Sequence, residues 1–112
     1  MTHKLKPGDK QLYKLKADVL LANAHPIRLM IIDFIKDGEQ CVCDISKHVD
    51  AKRSNVSRHL GILLKAGIVS QRKDGLRMMY ALRTHCVLNF LKCVEGVLLE
   101  NARETAKVLQ GL

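Results

Sequence analysis

Residues 54–83 constrain the fold more than any other part of the chain. Val56, Leu60, Leu63 and Leu64 recur at the spacing of one helix face, and Gly67 follows as a C-terminal stop. Two short alternating segments come next, "IVSQRK" and "LRMMYALR", with Asp74-Gly75 between them. Asp-Gly in that setting is a strong β-hairpin signal. The spacing therefore predicts a helix over 54–66 that runs directly into a hairpin over 68–83.

The upstream residues extend this pattern. Leu12, Leu15, Val19 and Leu20 recur helically between Gln11 and Ala24, after a polar stretch at 1–10 that reads as a flexible arm. Pro26 suits the first turn of a second helix, where its missing N–H has no partner to lose. That helix carries Ile27, Met30, Ile31, Phe34 and Ile35 inward and stops at Gly38. A short helix over about Cys43–Val49 turns Ile45 and Val49 to the core, and "DAKR" links it to the helix at 54. A last helix over 85–109 carries Leu88, Leu91, Leu98, Leu99, Ala102 and Leu109.

No internal repeat appears, and 112 residues make one domain. The expected architecture is mainly α with a small β-hairpin. A helix-turn-helix over 43–66 with a hairpin behind it is a winged helix-turn-helix. The first and last helices hold more apolar positions than one short chain needs to bury. The fold is therefore expected to be homodimeric through its N- and C-terminal helices.

The formal net charge of +8 favours a polyanionic partner. Arg53, Ser54, Asn55, Ser57, Arg58 and His59 cluster on the first two turns of the 54–66 helix, where a recognition helix reads base edges in the major groove. Arg58 suits guanine and Asn55 suits adenine, while Ser54 and Ser57 suit phosphate. Arg72, Lys73 and Arg77 surround the tip of the hairpin, within reach of the neighbouring backbone. A dimer would present two such heads to a palindromic operator.

Other partner classes fit less well. No apolar run approaches the ~18–20 residues that span a bilayer, and the cations gather on the helix-turn-helix and wing rather than along an amphipathic helix. The basic N-terminus lacks a following apolar region, so a cytoplasmic location is expected. No nucleophile, base and orienting group recur in an enzyme-like set.

The four cysteines are Cys41, Cys43, Cys86 and Cys93. In a reducing compartment they point to metal or redox chemistry, or to core filling, rather than to a disulfide framework. Residues two apart on a helix do not face each other. If Cys41 and Cys43 hold one ion, the backbone between them must be non-helical or must distort. Cys86 and Cys93 are seven apart, hence on one helix face. They read as filler at a dimer seam, as supplementary thiols, or as partners for Cys41 and Cys43.

Four segments carry a family resemblance: "HPIRLMIIDFI" at 25–35, "CVCDI" at 41–45, "SNVSRHLGILLKAGIV" at 54–69 and "RKDGLRMMYAL" at 72–82. Together they resemble the ArsR/SmtB family of bacterial and archaeal metal-sensing repressors, across roughly residues 12 to 105. The Ser57-Arg58-His59-Leu60 block and the wing with Gly75 and Tyr80 are its markers here, and Tyr80 joins the expected DNA-binding set.

Within the family, "CVCD" is similar to the arsenic and antimony sensors. The resemblance implies a homodimeric repressor that leaves its operator when trivalent arsenic or antimony binds Cys41 and Cys43, with Cys86 and Cys93 as possible further thiols. Trivalent arsenic or antimony is expected as inducer, and no structural cofactor is expected. Trivalent arsenic is soft and prefers sulfur, as other soft ions do. This chain departs from the best-known pattern at Ser46, where a third cysteine would stand. The alternative is a thiol-based redox or reactive-sulfur sensor of the same fold. The family's zinc pattern in the last helix is absent, because His85 and Glu100 lack partners at the needed intervals.

Overall fold

The apolar run after His25 becomes the central helix of the protein. In the computed structural model, which describes residues 4–112, helix α1 spans Asp9–Asn23 and α2 spans Pro26–Ile35. Strand β1 is Gln40–Cys41, α3 is Val42–Val49, α4 is Arg53–Lys65, β2 is Val69–Asp74, β3 is Arg77–Leu82 and α5 is Cys86–Gln110. Pro26 sits at the start of α2, and His25 caps it by accepting a hydrogen bond from the Ile27 amide at 3.1 Å. Ile31, Ile32 and Ile35 are buried from α2, Ile45 and Val49 from α3, Val56, Leu60 and Leu63 from α4, Ile68 from the turn before β2, and Val69 and Leu82 from the sheet. Each such aliphatic side chain stabilises the fold by about 1.5–3 kcal/mol relative to exposure.

Two turns set the angles between these elements. After α3, Asp50 adopts a left-handed conformation at φ 52°, which Asp tolerates better than most residues. After α4, Gly67 takes φ 81°. Its amide bonds to the Leu64 carbonyl at 3.1 Å and the Ile68 amide to the Leu63 carbonyl at 3.0 Å. That paired closure is a Schellman motif, and buried Ile68 and Leu63 supply its apolar contact. The chain is thereby aimed from α4 straight into the hairpin.

The hairpin belongs to a three-stranded antiparallel sheet of order β1-β3-β2. Gln40 lies opposite Tyr80 and Cys41 opposite Met79. The sequence pattern gave no sign of β1, because two residues are too short for any alternation. The hairpin turn itself centres on Gly75-Leu76, since Asp74 pairs with Arg77. Gly75 at φ 63° supplies the one positive φ, as a II′-type turn requires.

Three further expectations need correcting. The arm expected over 1–10 is shorter, because helix α1 begins at Asp9 and the Asp9 carboxylate accepts from the Lys6 amide; residues 1–3 of that arm lie outside the described residues. Met30 does not face inward but is 42% exposed, since Ile31 and Ile32 occupy the inner face of α2. Leu64 is only half-buried at the edge of the core.

The terminal helices are packed differently from the rest. Ala22 is the buried residue of α1, and α5 has none. Val87, Leu88 and Leu91 lean on the core, while Phe90, Val94, Val97, Leu98 and Leu99 are exposed. Leu12, Leu15, Val19 and Leu20 of α1 are exposed as well. The radius of gyration is 18.2 Å. A compact domain of this length would measure about 13 Å. Among the described residues, no helix is long and apolar enough to cross a membrane.

Candidate thiol site and nucleic-acid interface

Cys41 and Cys43 straddle the junction between a strand and a helix. Cys41 is the N-cap of α3, with extended backbone at φ −81° and ψ 158°, and Cys43 lies in the first helical turn. The backbone between them is thus part extended and part helical, so the two side chains are not held to the diverging directions of residues two apart within a helix. Cys41 is 5% exposed and Cys43 is half-buried. Both line an open cleft of about 520 Å³, together with Asp44, Lys47, Arg53, Ser57, Arg77 and Met78. Three elements meet there: the start of α3, the start of α4 and the outer part of β3.

Lys47 was not anticipated as a member of this site. The signal was present, because it follows Cys43 by four residues and so shares its helix face. Ser46 does not point to the thiols. It is buried, and its hydroxyl donates to the Ala51 carbonyl at 2.5 Å, closing the turn between α3 and α4 beside the Ala51 amide to Ser46 carbonyl bond at 3.2 Å. The residue in place of a third cysteine therefore stitches the helix-turn-helix together. Cys86 and Cys93 are exposed on α5 and are not part of the cleft. Among the described residues, no three His, Cys, Asp or Glu side chains converge as a metal-ligand group.

The start of α4 is exposed and cationic. Arg53, Ser54, Ser57 and Arg58 face solvent and Asn55 is half-buried. The Arg58 guanidinium donates to Asn55 Oδ1 at 2.7 Å, which orients both side chains. No side chain caps the helix, whose N-cap is Lys52, so the first amides of α4 remain free to meet an anion.

Three residues expected at the DNA face are placed otherwise. His59 is 6% exposed and points inward, because it shares the Val56, Leu60 and Leu63 face of α4. Its ring lies 4.3 Å from that of His25, and Arg28 donates to its Nδ1 at 3.4 Å. Burial, then the charges of His25, Arg28 and Arg58, holds its pKa below the ordinary range. Tyr80 is buried on the inner face of β3, and burial pushes its hydroxyl pKa up. Arg72 donates from Nε and Nη2, one edge of its guanidinium, to both carboxylate oxygens of Glu39, just before β1, so it braces the wing. That pairing holds the Glu39 carboxyl below the usual carboxylate range. Lys73 and Arg77 are exposed on the wing as expected, and Leu76 is fully exposed at its tip. His48 stacks on Phe34 with centroids 4.1 Å apart, a packing role.

Comparison with known proteins agrees with this arrangement. Residues 25–71 match the family described as "Bacterial regulatory protein, arsR family". The HTH-type transcriptional regulator Rv0081 of Mycobacterium tuberculosis is 33% identical over 102 residues, covering 90% of each chain. An arsenical resistance operon repressor of Staphylococcus xylosus is 33% identical over 79 residues, covering 70% of this chain and 75% of that one. Among solved structures, the homodimeric winged helix-turn-helix domain of Mb0332 from Mycobacterium bovis, a possible ArsR-family transcriptional regulator, superposes with a TM-score of 0.74 at 25% identity, covering 92% of this chain and 95% of that one. Relatives and fold are those of DNA-binding transcriptional regulators, not of enzymes. The protein belongs to the ArsR family of winged helix-turn-helix transcriptional repressors.

Proposed function

We propose that the protein is a homodimeric cytoplasmic repressor that binds a palindromic operator and releases it when trivalent arsenic or antimony is captured by Cys41 and Cys43. The observation that carries this reading is the cleft itself. Its thiols share one wall-to-wall space with Arg53 and Ser57 of α4 and Arg77 of the wing. An ion held by both sulfurs therefore acts on the seat of both DNA-reading elements. Cys41 is also a β1 residue opposite Met79, so pulling the two sulfurs together moves the strand that supports the wing.

In the DNA-bound state, Arg58 and Asn55 address base edges, while Lys52, Arg53, Ser54, Ser57, Lys73 and Arg77 hold phosphates. Arg72, His59 and Tyr80 act one step back, by fixing the wing and the inner side of α4. The exposed apolar stripes of α1 and α5 pair across a two-fold axis and set the spacing of the two heads.

Allosteric coupling of about 1–3 kcal/mol is enough to shift DNA affinity several-fold to about 150-fold. The relevant experiment uses the reduced protein on DNA from upstream of its own gene, titrated with arsenite, antimonite and cadmium while anisotropy is read. Release by arsenite or antimonite at near-stoichiometric levels supports the proposal, as does its loss in Cys41→Ser and Cys43→Ser. Release by cadmium alone would transfer the site to a different soft ion.

A further inference from the structure

The cleft carries Lys47, a cation used neither by the thiols nor by the proposed DNA contacts, beside Arg53 and Arg77. Lys47, Arg53 and Arg77 line it against the single carboxylate of Asp44. Among the described residues, none of these three cations takes part in a salt bridge. Trivalent arsenic as its neutral hydroxide gains nothing from such a lining. An anion does. The two thiols also differ: Cys41 is 5% exposed, whereas Cys43 opens into the cleft from the first turn of α3.

We infer that Cys43 is a modification site for small disulfides that carry carboxylates, selected by Lys47, Arg53 and Arg77. This rests on the reading of the cleft as the place where effector and DNA meet. The cleft volume of about 520 Å³ lies within the ~300–1,000 Å³ range of small-molecule sites, enough for an adduct of short-peptide size. The Cys43 thiolate attacks one sulfur of the incoming disulfide. A new bond forms between Cys43 Sγ and that sulfur as the reagent's own S–S bond breaks. The other half departs as a thiolate and takes a proton from solvent. Cys43 is oxidised, the departing half is reduced, and no further oxidant is needed.

The consequence for DNA is direct. The adduct places carboxylates beside Arg53 and Arg77, both of which hold phosphate in the proposed complex. It fills the space and cancels the charge that DNA requires. Reduction by a small thiol reverses the step.

The test compares three disulfides at equal concentration on the reduced full chain: oxidised glutathione, which bears carboxylates; hydroxyethyl disulfide, which is neutral; and cystamine, which is cationic. Timed acid quenching and peptide mapping give the rate at Cys43, divided by the rate of N-acetylcysteine with the same reagent. At low salt the normalised rate with oxidised glutathione should exceed that with cystamine by about 10-fold, the lower end of electrostatic steering. High salt, or the Lys47→Gln/Arg77→Gln pair, should collapse the ratio. The adduct should abolish operator binding, and dithiothreitol should restore it. Equal normalised rates for the three reagents, or no reaction at Cys43, would overturn the inference. Arsenite release without this selectivity sinks the inference and leaves the proposed function standing; selectivity with arsenite inert does the reverse.

Discussion

The helix-turn-helix and the terminal helices of this protein obey different rules. Around α2, α3 and α4 the apolar side chains are almost wholly enclosed by one chain, with Ile31, Ile32, Ile45, Val56, Leu60 and Leu63 at zero exposure. Along α1 and α5 the same kinds of side chain stand in solvent, and α5 has no buried residue at all. The first region is enclosed by one chain and holds Cys41, Cys43 and the cationic start of α4. The second leaves its apolar stripes uncovered. In the proposed function, the effector-responsive head is therefore a property of the single chain, and the spacing of two heads is a property of the pair.

That contrast can be broken most forcefully at the core. Leu60→Ala should destabilise the fold by about 2–5 kcal/mol in a denaturant titration, because the site is fully enclosed and cannot collapse easily. Leu98→Glu on α5 should behave oppositely. Circular dichroism should keep its helical signal at high protein concentration, while sedimentation shows monomer in place of dimer and operator affinity falls. A Leu98→Glu variant that unfolds outright would show that α5 is part of the core after all.

The turn between α3 and α4 sharpens the comparison at smaller scale. Ser46→Ala removes the donor to the part-buried Ala51 carbonyl and should lower stability by about 1 kcal/mol in the same titration. Ser46→Cys should not strengthen arsenite response, because the side chain at this position faces the turn rather than the cleft.

His59 gives the folded chain a pH dependence whose sign follows from its burial. Its folded pKa lies below the ordinary 6.5. The unfolded chain therefore binds the extra proton as pH falls through about 6.5, so this contribution to stability is fully present above that pH and is lost below it. His25, Arg28 and Arg58 all oppose the added charge. The His59→Leu variant should show a flatter decline in thermal midpoint between neutral pH and mildly acidic pH than the parent protein. The smallest effect is expected at Glu39→Gln, an exposed partner of Arg72. The thermal midpoint should barely move, whereas wing contacts to DNA should weaken measurably by anisotropy at low salt.

Much of the head was legible in the sequence because its signals are local. Pro26, Gly67, the helical apolar stripes and the hairpin segments each act within a few residues, and the helices lie within a few positions of where spacing put them. Cys41 and Cys43 stood out for the same reason. The residues placed otherwise are of two kinds. His59 suits a DNA face by residue type and Tyr80 by family resemblance, yet Val56-His59-Leu60-Leu63 at helical spacing and Tyr80-Leu82 at strand spacing mark both as inward. Arg72 could not have been placed, because its partner Glu39 lies 33 residues away and only the sheet brings them together. Strand β1 shares that difficulty, since its two residues are strand only through pairing with β3. The exposure of α5 was anticipated from an excess of apolar positions.

The most direct measurement is an arsenite titration of the reduced protein on its upstream DNA, run side by side with the Cys41→Ser and Cys43→Ser variants. Release near one equivalent per chain is expected for the parent protein, with retained binding for both variants. Release that persists in both variants would contradict the claim that the cleft between α3, α4 and the wing is where the effector acts.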